Sequence, residues 1–157
     1  LKLTKNQRKL IPRHQEITFS VHRRNLTPEH LALYQKFQLK LSSKVESESQ
    51  IKNSLFMDSE TAIMTEYRLD EKLVAVGILD VTSSGLSSVY FMYDRELSGF
   101  SLGFYSIIRE CQLVKEMGLT YYHLGYWIKE NEHMSYKNRF KPFELLIDGK
   151  WLSSEKL

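Results

Sequence analysis

The run Leu86-Ser87-Ser88-Val89-Tyr90-Phe91-Met92-Tyr93-Asp94, with the helix and strand after it, decides how this chain is read. A turn through Ser98-Gly99-Phe100 leads to a helix predicted over 101–117, and then to a strand from Tyr121 that ends in Leu124-Gly125-Tyr126-Trp127. The helix carries Phe104, Ile107, Ile108, Cys111 and Val114 on one face at helical spacing, with Arg109, Gln112 and Glu116 opposite. Ser101 is placed as its N-cap, and Gly118 stands where a left-handed C-terminal residue belongs. A helix leaves its first N–H groups unpaired, so the Ser101 end is the expected binding end.

Working outward toward the N-terminus, Leu73-Val74-Ala75-Val76-Gly77-Ile78-Leu79 is apolar on both faces and is predicted as the central strand. Asp70-Glu71-Lys72 joins it to a strand from Ala62 to Leu69, and Thr82-Ser83-Ser84-Gly85 joins it to the Leu86 strand. Residues 42–53 are polar and read as a loop, the expected place of disorder or variation, with a short helix around Glu48 to Phe56. Thr27-Pro28-Glu29 opens a helix with the face Leu31, Tyr34, Phe37 and Leu41. Ahead of it Ile17, Phe19 and Val21 alternate with Glu16, Thr18 and Ser20 as a half-buried strand. Beyond Trp127 a polar loop leads to a short helical piece around Met134 to Phe140, and Asp148-Gly149 closes a terminal hairpin.

With 157 residues the chain is expected to form one domain, burying roughly 70% of its unfolded surface without a disulfide or metal. Its one cysteine, Cys111, reads as a buried reduced thiol, and His133 has no second ligand at metal spacing, so neither metal nor cofactor is expected. No signal peptide and no apolar run near the ~20 residues of a membrane span are visible, which implies a soluble, cytoplasmic protein. The net charge is +3, yet the first 24 residues carry +6. Lys5, Arg8 and Lys9 lie in a basic arm over residues 1–16 that lacks an apolar period. The arm reads either as a solvated face or as a surface for a polyanion, whose counterions it would release.

The order of elements resembles the N-acetyltransferase superfamily (GNAT-like) fold, an α+β architecture with a mixed, mostly antiparallel sheet flanked by helices. That resemblance implies that the Leu86 strand and the strand after the long helix part and hold an acyl donor, with phosphate at the helix N-terminus. The turn Ser98-Gly99-Phe100-Ser101-Leu102-Gly103 does not carry the usual acyl-CoA glycine spacing.

Four motifs add a closer resemblance: Ser88 to Asp94; Ser101-Leu102-Gly103; Tyr122-His123-Leu124-Gly125-Tyr126-Trp127-Ile128; and Met134-Ser135-Tyr136-Lys137-Asn138-Arg139-Phe140-Lys141-Pro142. In order and spacing they resemble the C-terminal region of the aminoacyl-tRNA–protein transferases, which comprise the eukaryotic arginyl-tRNA–protein transferases and the bacterial leucyltransferases acting on N-terminal Asp or Glu. Leu3-Thr4-Lys5-Asn6-Gln7-Arg8-Lys9 resembles the family's basic arm, and Trp127 leans toward the bacterial branch. Departures are Arg95 where the family usually has Pro, and Lys129-Glu130-Asn131-Glu132-His133 in place of a Pro-Gly-Cys-Pro-Lys run. The family's N-terminal domain with paired cysteines is expected to be absent.

The resemblance implies transfer of Leu or Arg from aminoacyl-tRNA to the N-terminal amine of acceptor proteins beginning with Asp or Glu, in the N-degron pathway. Such an α-amine titrates near roughly 7.7–8.0, so positioning and oxyanion stabilisation outweigh strong base catalysis. Tyr93, Asp94 and Tyr126 are the candidate catalytic groups, with Asp94 orienting the amine and a Tyr protonating the leaving ribose. Ser101, Leu102, Gly103, Tyr136, Lys137, Arg139, Lys5, Arg8 and Lys9 are the candidate substrate and tRNA contacts, with Lys137 or Arg139 facing the acceptor carboxylate. The tyrosines are equally good strand residues, and Asp94-Arg95 equally a turn. Two other classes stay open: an acyl-CoA-dependent N-acyltransferase and a non-catalytic tRNA-binding module.

Overall fold

The computed structural model describes residues 1–39, 46–128 and 130–154. Two short helices open the chain, α1 (Lys5–Arg8) and α2 (Leu10–Arg13), followed by strand β1 (Ile17–Arg23) and helices α3 (Pro28–Gln38) and α4 (Glu48–Leu55). Strands β2 (Ala62–Leu69), β3 (Lys72–Val81) and β4 (Gly85–Tyr93) then form a meander. A 3-10 turn (Arg95–Phe100) leads into the long helix α5 (Leu102–Glu116) and strand β5 (Tyr121–His123). The end is α6 (Glu132–Ser135), a second 3-10 turn (Tyr136–Arg139) and the hairpin β6 (Glu144–Ile147) and β7 (Lys150–Ser153). Leu41, expected on the α3 face, and part of the polar 42–53 stretch lie outside the described residues.

The main sheet has the order β1-β2-β3-β4-β5 and is antiparallel except for β4 with β5. The expected central strand is therefore central. Val76 and Ile78 of β3 pack with Leu33, Tyr34, Phe37, Ile51 and Phe56 under α3 and α4. Val74, Ala75 and Leu79 face the other way, toward Leu102, Tyr105, Leu113 and Val114 of α5. Burying both faces is what a near-continuous apolar run provides, each large aliphatic side chain contributing about 1.5–3 kcal/mol.

Local chemistry sets the element ends. The Thr27 side chain accepts from the His30 N–H and Pro28 follows it at the helix start, so α3 begins where the sequence places it. Asp148 and Gly149 both have positive φ, as a two-residue hairpin turn requires, and Gly118 closes α5 at φ 71°. Ser101 departs from expectation. It sits at φ 54°, in the left-handed region, and makes no side-chain cap.

The N-terminal arm is also more ordered than its composition suggests. Thr4 and Gln7 form a reciprocal capping box, the Gln7 side chain donates to the Arg139 carbonyl at 3.0 Å, and the Lys2 N–H donates to the Lys141 carbonyl at 2.9 Å. Buried His14 has its ring nitrogens 2.6 Å from the Leu10 carbonyl and 2.5 Å from that of Phe100. The arm is thus tied across the outer side of α5, with Leu3 and Leu10 packed on Ile107, Ile108 and Phe140. Two charges of the basic run are structural instead: Arg24 is buried against Asp80 and the Leu79 carbonyl, and Arg23 pairs with Asp58.

Candidate active site

Strand β5 runs beside β4 for three residue pairs, Gly85 with Tyr121, Leu86 with Tyr122 and Ser87 with His123. From Ser88 to Tyr93, β4 is paired with β3 on one side and with no strand of the described residues on the other. The expectation of a strand reaching Trp127 is corrected here. Gly125 turns the chain outward at φ 71°, close to the Ser88 carbonyl, and the Lys137 ammonium binds the carbonyls of Leu124 (2.6 Å) and Tyr126 (2.8 Å), which no strand partner takes. The two strands therefore part at Ser88, as the fold resemblance implies.

The C-terminal end of β4 separates two candidates that are adjacent in sequence. Asp94 is 2% exposed and turned toward α3, with its carboxylate 2.9 Å from Lys36 and 3.2 Å from Lys72, and with Oδ1 accepting from the Glu96 N–H. Burial would raise this carboxyl, but the hydrogen bonds from Lys36, the Glu96 backbone and Lys72 outweigh it and hold it below the usual range. Its lone pairs are thus committed to anchoring the strand end rather than facing the parting. Tyr93 packs its ring at 5.4 Å from Phe37 and 6.0 Å from Phe91. Its phenol stays near enough to Tyr136 to act on it electrostatically: the Tyr136 hydroxyl is pushed up by burial, then by Tyr93 and Glu110.

Tyr136 lies against Phe104 at 5.1 Å, which brings the late motif onto the first turns of α5. Lys137 beside it is half-buried, and burial lowers its ammonium. Tyr126, by contrast, is 88% exposed and does not enter the core, so the two candidate catalytic tyrosines, Tyr93 and Tyr126, stand in different environments.

A cleft of about 570 Å³ opens at the start of α5 between the arm and the late motif, lined by Gln7, Leu10, Ser101 and Phe104 and by the cations Lys2, Arg139 and Lys141. The N–H groups of Leu102 and Gly103 bond no acceptor among the described residues, and the space beside Gly103 is open for 4 Å. Arg139 is exposed, with its guanidinium 6.0 Å from the Phe104 ring centre. Lys5, Arg8 and Lys9 are exposed on the outer side of the arm. Among the described residues no group of three or more side chains is arranged to hold a metal, and the Cys111 thiol is pushed up to about 11 by burial.

One buried group was missed by the sequence reading. Glu110 is 1% exposed inside α5, and its carboxylate accepts from the hydroxyls of Thr65 (2.9 Å), Tyr67 (3.1 Å) and Tyr122. Its spacing carried the signal, since it falls three residues after Ile107 and four before Val114 on the same helical face.

This architecture is that of the N-acetyltransferases. The crystal structure of the ribosomal-protein-S18-alanine N-acetyltransferase from Escherichia coli superposes with a TM-score of 0.60, covering 82% of this chain and 79% of that one at 12% identity. Residues 29–147 match the family described as arginine-tRNA-protein transferase, C terminus, and the chain belongs to that family. It is 34% identical over 161 residues to an aspartate/glutamate leucyltransferase of Nitrosospira multiformis, covering 100% of this chain and 64% of that one. A protein of the same name from Helicobacter hepaticus is 31% identical over 150 residues, covering 91% of this chain and 62% of the relative. The chain thus spans less than two thirds of the length of these relatives.

Proposed function

We propose that the chain transfers leucine from aminoacyl-tRNA to the N-terminal amine of proteins beginning with Asp or Glu, with arginine as the alternative donor residue. The observation that carries this reading is the basic cleft at the α5 N-terminus, in a chain whose β4 and β5 part and which is similar along its whole length to an aspartate/glutamate leucyltransferase. The acceptor amine attacks the ester carbon, a C–N bond forms, the bond to the ribose oxygen breaks, and the amine's proton passes to that oxygen. The tetrahedral oxyanion meets the free N–H groups of Leu102 and Gly103, a good donor there contributing about 3 kcal/mol. A tyrosine hydroxyl, Tyr93, Tyr126 or Tyr136, relays that proton to the leaving ribose oxygen. Because Lys137 is occupied by two carbonyls, Arg139 takes the acceptor's carboxylate. Lys5, Arg8 and Lys9 follow the tRNA backbone. Residues 1–157 act as one transferase domain in the cytoplasm, in N-degron protein turnover. No helix of the described residues is long and apolar enough to cross a membrane.

The test is a transfer assay with leucyl- and arginyl-tRNA on peptides beginning with Asp, Glu or Ala. Transfer restricted to the acidic peptides, and lost for them in Arg139→Gln with tRNA affinity kept, supports the reading. Acyl transfer from acyl-CoA, or tRNA binding without transfer, replaces it with an acyltransferase or a binding module.

A further inference from the structure

Three strands and the long helix are shaped around one carboxyl group. Glu110 Oε1 takes the hydroxyls of Thr65 and Tyr67 from β2, and Oε2 takes that of Tyr122 from β5. On the central strand the facing residue is Gly77, where a Cβ would overlap both Glu110 Oε1 and Thr65 Oγ1. An apolar side chain would fill this space without the desolvation that a buried carboxyl suffers, so packing does not account for the arrangement. No basic side chain is paired with Glu110 among the described residues. What the carboxyl reaches, and an aliphatic group would not, is the departing strand. Tyr122 is the middle residue of the three that pair with β4, opposite Leu86 and two positions before Leu124, where the chain has left the sheet.

We propose that Glu110 is a positioning residue of the transfer reaction, fixing β5 through Tyr122 at the point where it leaves β4 and so setting the width of the parting that receives the reacting ester. The inference rests on the reading of that parting as the active site. Glu110 touches no substrate. Its effect passes through the Tyr122 hydroxyl to β5 on one side of the opening, while Lys137 holds the chain that follows at Leu124 and Tyr126.

The experiment uses the full chain and two variants, Tyr122→Phe and Glu110→Gln, followed by thermal melting, residue-resolved amide hydrogen exchange and transfer kinetics. Tyr122→Phe keeps the ring and removes the bond. It is expected to melt below the parent, because one of the three hydroxyls on the buried carboxyl is lost, and to exchange faster at residues 88–93 and 124–126 than elsewhere. It is also expected to lose about ten- to a hundredfold in kcat with KM for aminoacyl-tRNA unchanged, as a misplacement of about 1 Å produces. Glu110→Gln is expected to show the same split of kcat from KM. Unchanged exchange and kcat in Tyr122→Phe overturn the proposal, and so does a kcat that falls only in step with melting. If the parent chain transfers nothing, the functional reading fails separately. Exchange then decides: acceleration confined to the parting supports the positioning role, and uniform or absent acceleration refutes it.

Discussion

Lys137 fastens the backbone that has just left β5, its ammonium lying 2.6 Å from the Leu124 carbonyl and 2.8 Å from that of Tyr126. Replacing it by Met keeps most of the stem and removes both bonds. Since hydrogen bonds to a charged group contribute about 1.5–3 kcal/mol, Lys137→Met is expected to destabilise by about that amount, read by denaturant unfolding. The exchange of amides 124–126 should rise with it. A stable variant with slow exchange there would mean that the carbonyls find other partners and that Lys137 is free to face substrate.

Gly103 stands in the first turn of α5 with open space where a Cβ would go, and its φ is not among the positive ones. Alanine is the better helix former, so Gly103→Ala is expected to raise stability by up to about 1 kcal/mol. The added methyl nevertheless covers the N–H groups at the helix start. Transfer should fall in kcat while melting holds or rises. Unchanged transfer would remove this helix end from the mechanism.

The charges of the arm are better probed singly than by deletion, because Gln7, Leu3 and Leu10 hold the arm in place. Substituting exposed Lys5, Arg8 and Lys9 by Ala leaves that anchoring intact. Each phosphate that the protein no longer neutralises should flatten the slope of log affinity against log salt by about 0.7–0.9. Titrations of tRNA at several salt concentrations measure it, and an unchanged slope would make this face merely solvated.

Asp94 supplies a pH test of the strand end. Its carboxyl is held below the usual range in the folded state, so the folded protein binds fewer protons than the unfolded chain between the two pKa values. Stability from this group is therefore full above the ordinary carboxylate pKa of about 3.9 and lost as pH falls through the lowered value. Asp94→Asn should be less stable than the parent at neutral pH, with the gap closing on acidification. Urea unfolding of both proteins across that range reads the difference, and a gap that does not narrow would mean the two lysines contribute nothing through charge.

The frame of this protein was legible in its sequence. The two-sided apolar run at Leu73 to Leu79 made β3 central, Thr27-Pro28 began α3, and Asp148-Gly149 made the terminal hairpin, because each depends on residues within a few positions of one another. The four motifs from Ser88 to Pro142 identified the family for the same reason, their order and spacing being properties of the chain. The tertiary structure decided what no local pattern carries. Periodicity put Glu110 on the buried face but could not show the three hydroxyls that make burial tolerable, since two come from β2 and one from β5. The sequence offers Asp94 as a group to orient the amine at a strand end, and only the fold brings Lys36, 58 residues earlier, and Lys72 against it. β5 stops at His123 because its neighbour is a diverging strand and its next carbonyls belong to Lys137, and the basic arm is folded because Arg139, Lys141 and Phe100 accept its hydrogen bonds. Those are choices of partner across long chain separations, and the partner of a polar group exists only once the fold has brought it there.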